Sequence, residues 1–361
     1  MKPVLLAAGG TGGHLFPAQA LAEVLRARGI EVQLVTDTRA QKYSGAFPAS
    51  KIHAVPSATP TGGGVMGKAW AALVLARGVL AARVLIREVQ PSVVVGFGGY
   101  PTVPPLLAAS QLKVPCLLHE QNAVMGRANR FLARRVGAIG TGFATLNGVD
   151  ASIRAKAVDV GNPVRPSVIA AAAVPYPAFE GRLKVLVTGG SQGAKVMSDI
   201  VPAAMQALGA QVCQKIELVQ QARGEDVARV EAIYAQLGLS AKVQPFFDDL
   251  PGQMAQAHLV IARSGASTVS ELAVIGRPAI LVPFPFALDQ DQAANAAEMA
   301  QNGAVEVVKQ VDFTAQFLKE ALLKALANPE DLQNRARAAK KAGRPDAAEK
   351  LADLVLRVAQ G

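Results

Sequence analysis

Residues 9–14 read Gly-Gly-Thr-Gly-Gly-His and lie between the apolar run Val4-Leu5-Leu6-Ala7-Ala8 and a helix-like segment from Leu15 to Arg28. A strand, a glycine turn and a helix together aim free backbone N–H groups at an anion. Glycine adopts positive φ angles and lets the backbone approach a ligand closely. An ordinary strand-to-helix turn needs only one or two glycines, so this stretch predicts a loop directed at phosphate.

Spacing excludes two common phosphate motifs. A P-loop places Lys-Ser/Thr after its last glycine, where this chain has His14-Leu15. The dinucleotide fingerprint G-x-G-x-x-G, started at Gly10, requires a glycine where Leu15 stands. The loop therefore belongs to neither motif.

Length and composition predict a two-domain protein of a reducing compartment. The chain has 361 residues, of which 51% are hydrophobic. Cys116 and Cys213 lie far apart and the four histidines form no ligand pattern, so we expect neither a disulfide framework nor a metal cluster. We also expect no signal peptide after Lys2. Prolines and glycines interrupt the uncharged run 89–112, which argues against a membrane span there.

The net positive charge of the chain comes from its first half. Residues 1–163 carry 17 Lys/Arg and 7 Asp/Glu, whereas residues 164–361 carry 20 of each. A basic half beside a neutral half indicates a surface that meets an anionic partner. The chain is poor in aromatic residues and shows no recognised nucleic-acid module, so we expect an anionic membrane surface and no nucleic acid.

Apolar strands alternate with helices, which predicts parallel sheets covered on both faces. The opening pattern returns at residues 184–194, and a proline-punctuated linker is predicted within 162–177. We expect one α/β domain over 1–163 and another over 164–340, with a final helix at about 341–361 able to pack on the first. Two doubly wound domains of this kind offer a cleft at the carboxyl ends of their strands. Predicted strands are 3–8, 31–36, 92–96, 115–119, 136–140, 183–188, 215–220, 241–245, 258–262, 279–282 and 304–308. Predicted helices are 15–28, 66–89, 102–111, 124–133, 194–209, 225–237, 266–275, 289–301, 314–327 and 345–359.

Two more glycine loops follow predicted strands, at 96–101 and 189–193. Three such loops indicate ligands with more than one phosphate group. The segment Arg263–Glu271 opens a helix that Ser264 can cap. Glu271, two turns in, is either a carboxylate that accepts two hydrogen bonds from a diol such as ribose or a solvated helix residue.

Two further polar stretches follow strands. Asp289, Gln292 and Asn295 recur at intervals of three and share a helix face, which suits sugar hydroxyls, although a helix cap with ordinary surface amides explains it as well. The run His119-Glu120-Gln121-Asn122 indicates either a polar site or a capped helix start.

These motifs occur in the order of one family. Gly-Gly-Thr-Gly-Gly-His, Gly-x-Gly-Gly-Tyr, His-Glu-Gln-Asn, Gly-Asn-Pro-Val-Arg, Gly-Gly-Ser-Gln-Gly-Ala, Arg-Ser-Gly-Ala-x-Thr-Val-Ser-Glu and a Gln-x-x-Asn helix run from residue 9 to residue 295. The chain resembles the MurG family of peptidoglycan N-acetylglucosaminyltransferases over nearly its whole length.

The resemblance implies a GT-B fold, in which two Rossmann-like domains face a cleft. It implies inverting transfer of N-acetylglucosamine from UDP-GlcNAc to the 4-hydroxyl of a lipid-linked MurNAc-pentapeptide, on the cytoplasmic face of the bacterial inner membrane and beside the cell-wall synthesis machinery. The resemblance assigns the donor to Thr11, Gly12, Gly13, Asn122, Arg165, Ser191, Phe247, Ala266, Ser267, Thr268, Val269, Ser270, Glu271 and Gln292, and the acceptor pyrophosphate to Gly10, Gly98, Gly99 and Tyr100. Phe247 and Ser267 depart from residues common in the family, which leaves only main-chain roles secure there.

The chemistry requires charge stabilisation and a base. UDP leaves with growing negative charge, which helix N-termini, loop amides and Arg165 can stabilise, and no Asp-x-Asp metal motif is evident. We therefore expect no metal or other cofactor. His14 is the candidate base because it sits at the loop and titrates near neutral pH, and Glu120 competes with it.

Three other functions remain open: a transferase acting on a diacylglycerol acceptor, a UDP-sugar epimerase and a non-catalytic nucleotide-sugar sensor.

Residues 66–89 bear on how the chain meets a lipid-linked acceptor, because apolar side chains there are interleaved with basic ones. No uncharged run in this segment exceeds eight residues, so we expect it to lie on a bilayer and not to span one; a core helix with a basic edge is the alternative. The predicted membrane contacts are Lys68, Trp70, Arg77, Arg83 and Arg87.

Overall fold

The computed structural model describes residues 2–9, 11–37, 47–59, 64–190, 193–287 and 290–360, which form two compact units. Unit 1 comprises Met1–Arg165 and Pro345–Gly361, and unit 2 comprises Pro166–Arg344. The units thus change two residues after the boundary expected from sequence, and the last helix belongs to the first unit. Of the residues singled out in the sequence, Gly10, Ser191, Gln192 and Asp289 lie outside the described residues.

Unit 1 contains a parallel sheet with the strand order β3-β2-β1-β4-β5-β6-β7 in the described residues. The order reverses direction between β1 and β4, and ligands of doubly wound sheets bind beside the carboxyl ends of the strands at such a point. The strands are β1 (Val4–Ala7), β2 (Val32–Thr36), β3 (Lys51–Ala54), β4 (Val93–Gly96), β5 (Cys116–Glu120), β6 (Ala138–Thr141) and β7 (Ala157–Asp159).

Helices cover both faces of this sheet. They are α1 (Gly12–Ala27), α2 (Gly64–Val89), α3 (Val103–Gln111), α4 (Arg127–Leu132), α5 (Ala151–Arg154) and α16 (Ala347–Gln360). The terminal helix α16 packs beside α1 through a shared apolar core, and Arg28 adds ion pairs to Glu349 and Asp353, the latter at 2.6 Å. These contacts explain why the last residues of the chain join the first unit.

Unit 2 repeats the same strand order, β10-β9-β8-β11-β12-β13, again parallel in the described residues. Its strands are β8 (Leu183–Thr188), β9 (Ile216–Gln221), β10 (Ser240–Gln244), β11 (Leu259–Ala262), β12 (Ala279–Leu281) and β13 (Val305–Val307). Its helices are α6 (Pro166–Ala172), α7 (Lys195–Leu208), α8 (Ala210–Cys213), α9 (Val227–Gln236), α10 (Leu250–Gln256), α11 (Ala266–Ile275), α12 (Asp291–Asn295), α13 (Ala297–Gln301), α14 (Ala315–Ala327) and α15 (Pro329–Ala342).

The edge strands β3 and β7, several short helices and α15 were not predicted from the sequence. The two strands are partly exposed and lack a buried apolar run, which was the signal used to find strands. Helix α15 is strongly polar and buries only a narrow face. The predicted helix 289–301 was wrong as a single element, because the chain there forms α12 and α13 with a break at Ala296.

Helix α2 packs on unit 1 through its small residues. Ala71, Gly78 and Ala82 are buried, and a Cβ at Gly78 would lie 2.1 Å from the carbonyl oxygen of Pro56. By length and composition alone, α2 qualifies as a helix able to cross a membrane. Core helices meet the same criterion, and α2 packs on unit 1 at Gly78, Ala82 and Ile86.

A buried arginine holds the segment that follows α6 against the rest of unit 2. The Arg277 guanidinium donates to carbonyl oxygens of Ala255, Ile275 and Gly276, and also to those of Val174 and Pro175 after α6, at 3.0–3.3 Å for most of them. Its side chain is 1% exposed, and burial lowers its pKa to about 10, so it remains charged at neutral pH.

We expect Arg277→Met to lower the free energy of unfolding of unit 2 by about 3 kcal/mol, because several buried carbonyls would lose their donors at once. Urea unfolding followed by circular dichroism measures the change. The matched control is Arg337→Met on the exposed face of α15, which should alter stability by less than about 0.5 kcal/mol. A loss below about 1 kcal/mol for Arg277→Met would contradict the prediction.

Candidate active site

The glycine loop of unit 1 leads directly into a helix N-terminus at the carboxyl end of β1. Thr11 is the N-cap residue with extended backbone angles, and α1 begins at Gly12, three residues earlier than expected from sequence. The first intrahelical bonds run from His14 N–H and Leu15 N–H to Thr11 O, at 3.0 Å each. The N–H groups of Gly12 and Gly13 precede this ladder, which is the arrangement that binds anions at helix N-termini.

His14 lies in a cradle made of glycine backbone. Its Nδ1 is 2.8 Å from Thr11 Oγ1, and its ring faces Gly98, where an added Cβ would come within 3.3 Å of Nε2. Gly9 and Gly99 complete the cradle at 3.4 Å and 3.5 Å by the same measure. Burial lowers the pKa of His14 to about 4, so the imidazole is neutral at neutral pH and the expectation that it titrates near neutral pH was wrong.

The second loop of unit 1 is held against β1. Gly98 and Gly99 have φ angles of 85° and 73°, which other residues rarely adopt. Thr102 Oγ1 makes a 2.6 Å bond to Gly98 O and lies 3.2 Å from Ala7 O. Tyr100 opens a short 3₁₀ turn and is half-buried. The loop is thereby placed beside His14, as the strand order β1-β4 requires.

Glu120 is buried at the carboxyl end of β5 and holds the following turn together. Its Oε1 accepts from Asn122 N–H at 3.0 Å, and its Oε2 accepts from Gly126 N–H at 3.0 Å and Asn129 Nδ2 at 2.8 Å. Burial raises the pKa of Glu120, and these hydrogen bonds oppose the rise. Because Gly126 becomes the N-cap, α4 begins at Arg127 and not at residue 124 as predicted.

Two residues of this region escaped the sequence analysis. Asn129 is buried on α4 and bridges Glu120 to the backbone of His119, at 3.4 Å to the carbonyl oxygen. Phe16 on α1 lies under the Arg165 guanidinium, 3.9 Å from the ring centroid. Asn129 shares its short helix with Arg127 and Arg130, so its polarity gave no distinctive signal, and nothing in the sequence pairs Phe16 with Arg165.

The start of α11 in unit 2 differs from its predicted cap. Gly265, not Ser264, is the N-cap residue, and no side chain caps the helix. Ser264 is buried, and its Oγ has no hydrogen-bond partner within the described residues. Because glycine has no side chain to cap the helix, the first N–H groups of α11 can donate hydrogen bonds to a ligand. Glu271 lies two turns along and is 5% exposed.

The first two turns of α11 contain the predicted donor residues. Ala266, Val269 and Glu271 are buried, and Ser267, Thr268 and Ser270 are half-buried. A helix start with small and hydroxyl side chains lets a ligand approach the backbone, which agrees with the main-chain role expected of Ser267.

The amides of α12 support the neighbouring backbone. Gln292 Oε1 accepts from Phe284 N–H at 2.9 Å, and Asn295 Nδ2 donates to Ser264 O at 3.3 Å. Arg263 holds the same segment from the other side, with bonds to Val282 O and Pro283 O at 3.0 and 3.2 Å. Gln292 and Asn295 of the predicted polar face therefore bond to the backbone just after β12 and β11.

Phe247 follows β10, and its side chain is buried with 7% exposure. A side chain packed in this way does not reach a ligand, which leaves the main chain to contact one.

Among the described residues, no group of three or more His, Cys, Asp or Glu side chains is arranged to hold a metal ion.

The predicted membrane residues all lie on α2. Lys68, Trp70, Arg77 and Arg87 are exposed, whereas Arg83 is half-buried and bonds to Gln111 Oε1 at 3.4 Å. The predicted site residues that the structure describes therefore lie mainly in three places: the loops around His14 in unit 1, the helix starts and loops of unit 2, and the exposed face of α2.

Known proteins resemble both units. Residues 4–141 match the glycosyltransferase family 28 N-terminal domain, and residues 184–351 match the family 28 C-terminal domain. The UDP-N-acetylglucosamine–N-acetylmuramyl-(pentapeptide) pyrophosphoryl-undecaprenol N-acetylglucosamine transferase of Methylobacterium nodulans is 60% identical, covering 99% of this chain and 96% of that protein. The enzyme of the same name from Brucella canis is 54% identical, covering 99% and 94%.

A solved structure agrees with this likeness. The crystal structure of Acinetobacter baumannii MurG matches with a TM-score of 0.79 at 29% identity, covering 99% of this chain and all of that one. The two Rossmann-type sheets and the paired family 28 domains are those of a GT-B fold. The chain therefore belongs to the MurG family of glycosyltransferases.

Proposed function

We propose that this chain transfers N-acetylglucosamine from UDP-GlcNAc to the 4-hydroxyl of undecaprenyl-pyrophosphoryl-MurNAc-pentapeptide, with inversion at the anomeric carbon. The observation that carries the proposal is 60% identity, across 99% of the chain, to a protein named for that transfer. The geometry agrees with it, since each unit ends its central strands in glycine turns and uncapped helix starts suited to phosphate oxygens.

The charge that develops on the leaving UDP needs stabilisation. The N-terminal N–H groups of α11 supply partial positive charge to a phosphate bound there, and the family resemblance assigns a full positive charge to Arg165. Arg165 is held by stacking on Phe16, which restricts where its guanidinium points. We propose that these groups act without an obligatory metal or other cofactor, and activity that persists in excess chelator tests this.

His14 is the better candidate for the base that activates the acceptor hydroxyl. Both carboxylate oxygens of Glu120 already accept hydrogen bonds from the turn 122–129, so Glu120 stabilises that turn. For His14 to accept a proton on Nε2, its Nδ1–H must donate to Thr11 Oγ1, which the 2.8 Å contact allows. In that tautomer Nε2 carries the lone pair that accepts the proton of the acceptor hydroxyl.

UDP release from UDP-GlcNAc, measured with and without a lipid-linked muramyl acceptor, tests the proposed reaction. A transferase of this class releases UDP only when the acceptor is present. Turnover of UDP-GlcNAc without acceptor would favour a UDP-sugar epimerase, and turnover only with diacylglycerol would favour a lipid glycosyltransferase. Binding without UDP release under any of these conditions would favour a nucleotide-sugar sensor.

Glu271→Ala is expected to weaken the binding of UDP and of UDP-GlcNAc alike, by about 1–3 kcal/mol, if its carboxylate holds the ribose of the donor. The expectation rests on its buried position two turns into α11. Titration calorimetry with UDP measures the loss. Glu231→Ala on the exposed face of α9 is the control and should leave the affinity unchanged. An unaltered UDP affinity in Glu271→Ala would remove the assignment.

We further propose that unit 1 docks on the cytoplasmic face of the bacterial inner membrane as a peripheral protein. Large apolar side chains of α2 face solvent, with Met66 86%, Trp70 64% and Leu80 62% exposed, and basic residues flank them. Apolar side chains that insert beside basic ones near lipid phosphates are typical of interfacial helices. At that surface the chain would meet its lipid-linked acceptor and the cell-wall synthesis machinery that serves cell shape and division.

A further inference from the structure

Gln221 is a buried amide that connects two loops of unit 2. It is the last residue of β9 and is 3% exposed. Its Oε1 accepts from Thr188 Oγ1 and from Gly189 N–H, both at 3.0 Å. Its Nε2 donates to Pro245 O at 3.2 Å. One side chain therefore bonds to the ends of both neighbouring strands, because β9 lies between β8 and β10.

The first of the two loops is the glycine turn after β8. A Cβ at Gly189 would lie 2.2 Å from Ala194 N, so the backbone returns on itself with no room for a side chain. Gly190 has a φ of 85°, and its N–H lies 3.4 Å from Thr188 Oγ1. The hydroxyl of Thr188 thus links Gln221 to Gly190, one residue further into the turn.

The second loop is the segment that follows β10. It begins at Pro245 and leads to Phe247, whose side chain is buried and whose main chain is the part left to meet a ligand. The backbone pairing of β9 ends at Val187↔Gln220 on one side and at Gln244↔Gln221 on the other, so the side chain of Gln221 bonds to the two loops just beyond the sheet. Hydrogen bonds from a buried amide are directional and are strengthened by the low local dielectric.

We propose that Gln221 is a positioning residue that sets the distance between the glycine turn at Gly189–Gly190 and the segment Pro245–Phe247, so that both meet one nucleoside diphosphate. The inference rests on the proposed function, because it takes UDP as the ligand of this edge of unit 2. It adds a residue that contacts no substrate and acts through the two loops that do.

Gln221→Met keeps the volume of the side chain and removes all three hydrogen bonds. The matched control is Gln220→Met, because Gln220 is the preceding residue of β9, is 0% exposed and bonds instead to Met197 O and Tyr234 OH. We expect Gln221→Met to weaken UDP binding about tenfold or more in calorimetry. We expect Gln220→Met to change UDP affinity less than about twofold, even where its melting temperature falls by a similar amount.

Thr188→Val supplies a second test that leaves Gln221 in place and decides the matter if Gln221→Met does not fold. It removes the hydroxyl that joins Gly190 to Gln221, and we expect a severalfold loss of UDP affinity. The proposal is overturned if Gln221→Met or Thr188→Val binds UDP like the wild type, or if Gln220→Met loses as much affinity as Gln221→Met. Binding of UDP by the wild-type protein is a separate result that tests the proposed function itself.

Discussion

His14→Ala is expected to lower kcat by about 10²–10⁴-fold while leaving the affinity for UDP nearly unchanged. The physical reason is that a base acts on the acceptor hydroxyl in the transition state and contributes little to holding the donor. The imidazole sits in a cradle of glycine backbone beside Thr11, where its position is restricted. Single-turnover kinetics with saturating donor and acceptor measure the loss.

The same residue predicts a pH dependence. Burial lowers the pKa of His14 to about 4, and a base must be unprotonated to act. The rate constant kcat/KM should therefore stay level from about pH 8 down to about pH 6 and fall as the pH approaches 4, rather than falling through 6.5 as for a solvated histidine. Circular dichroism over the same range defines where the protein remains folded.

A control of the same residue type separates catalysis from stability. His53 lies on the edge strand β3, away from the glycine loop, and bonds to Gln33 Oε1 at 2.8 Å. His53→Ala should leave kcat unchanged. Normal kcat in His14→Ala would remove His14 as the base, and an equal loss of UDP affinity and kcat would assign it to donor binding instead.

Changing Lys68, Arg77, Arg83 and Arg87 together to glutamate is expected to weaken binding to anionic vesicles by at least about 4 kcal/mol, a thousandfold, since each basic residue near the surface contributes about 1 kcal/mol and each new carboxylate is repelled by the lipid. Salt should weaken wild-type binding through screening of the same charges. Sedimentation with anionic and with neutral vesicles measures both effects.

Trp70 provides a direct signal of insertion. It is the one tryptophan of the sequence and is 64% exposed on α2, so its fluorescence should shift to the blue when anionic vesicles are added.

The control for the charge reversal on α2 changes four exposed basic residues of unit 2 to glutamate and so alters the net charge equally: Lys309, Lys324, Arg337 and Lys341. Its binding should exceed that of the α2 variant by a large factor. Binding that ignores lipid charge and salt, or that survives the α2 changes in a folded protein, would rule out the docking surface.

Much of the architecture follows from local patterns in the sequence. Buried parallel strands appear as short apolar runs, and glycine turns mark their carboxyl ends, so β1, β4, β8 and β11 were located to within a residue or two. The motif order likewise sufficed to identify the MurG family, since backbone contacts to phosphate restrict which residues the loops can hold.

Elements without a buried apolar run were not predictable in this way. The edge strand β3 reads as a polar segment, and its place is decided by pairing with β2. The last helix was expected to be able to pack on the first unit, and its packing on α1 assigns it there. A pattern of apolar residues states that a face is buried, and does not state against which partner.

The sequence by itself determined the two α/β units, the phosphate-directed loops and the basic half of the chain. Tertiary structure alone decided that Gly265 and not Ser264 caps α11, that Glu120 is saturated by the turn that follows it, and that Gln221 joins two loops separated by more than 50 residues. The physical reason is that hydrogen-bond partners of a buried polar group are chosen by which strands lie side by side, and neighbouring strands in these sheets are far apart in the chain.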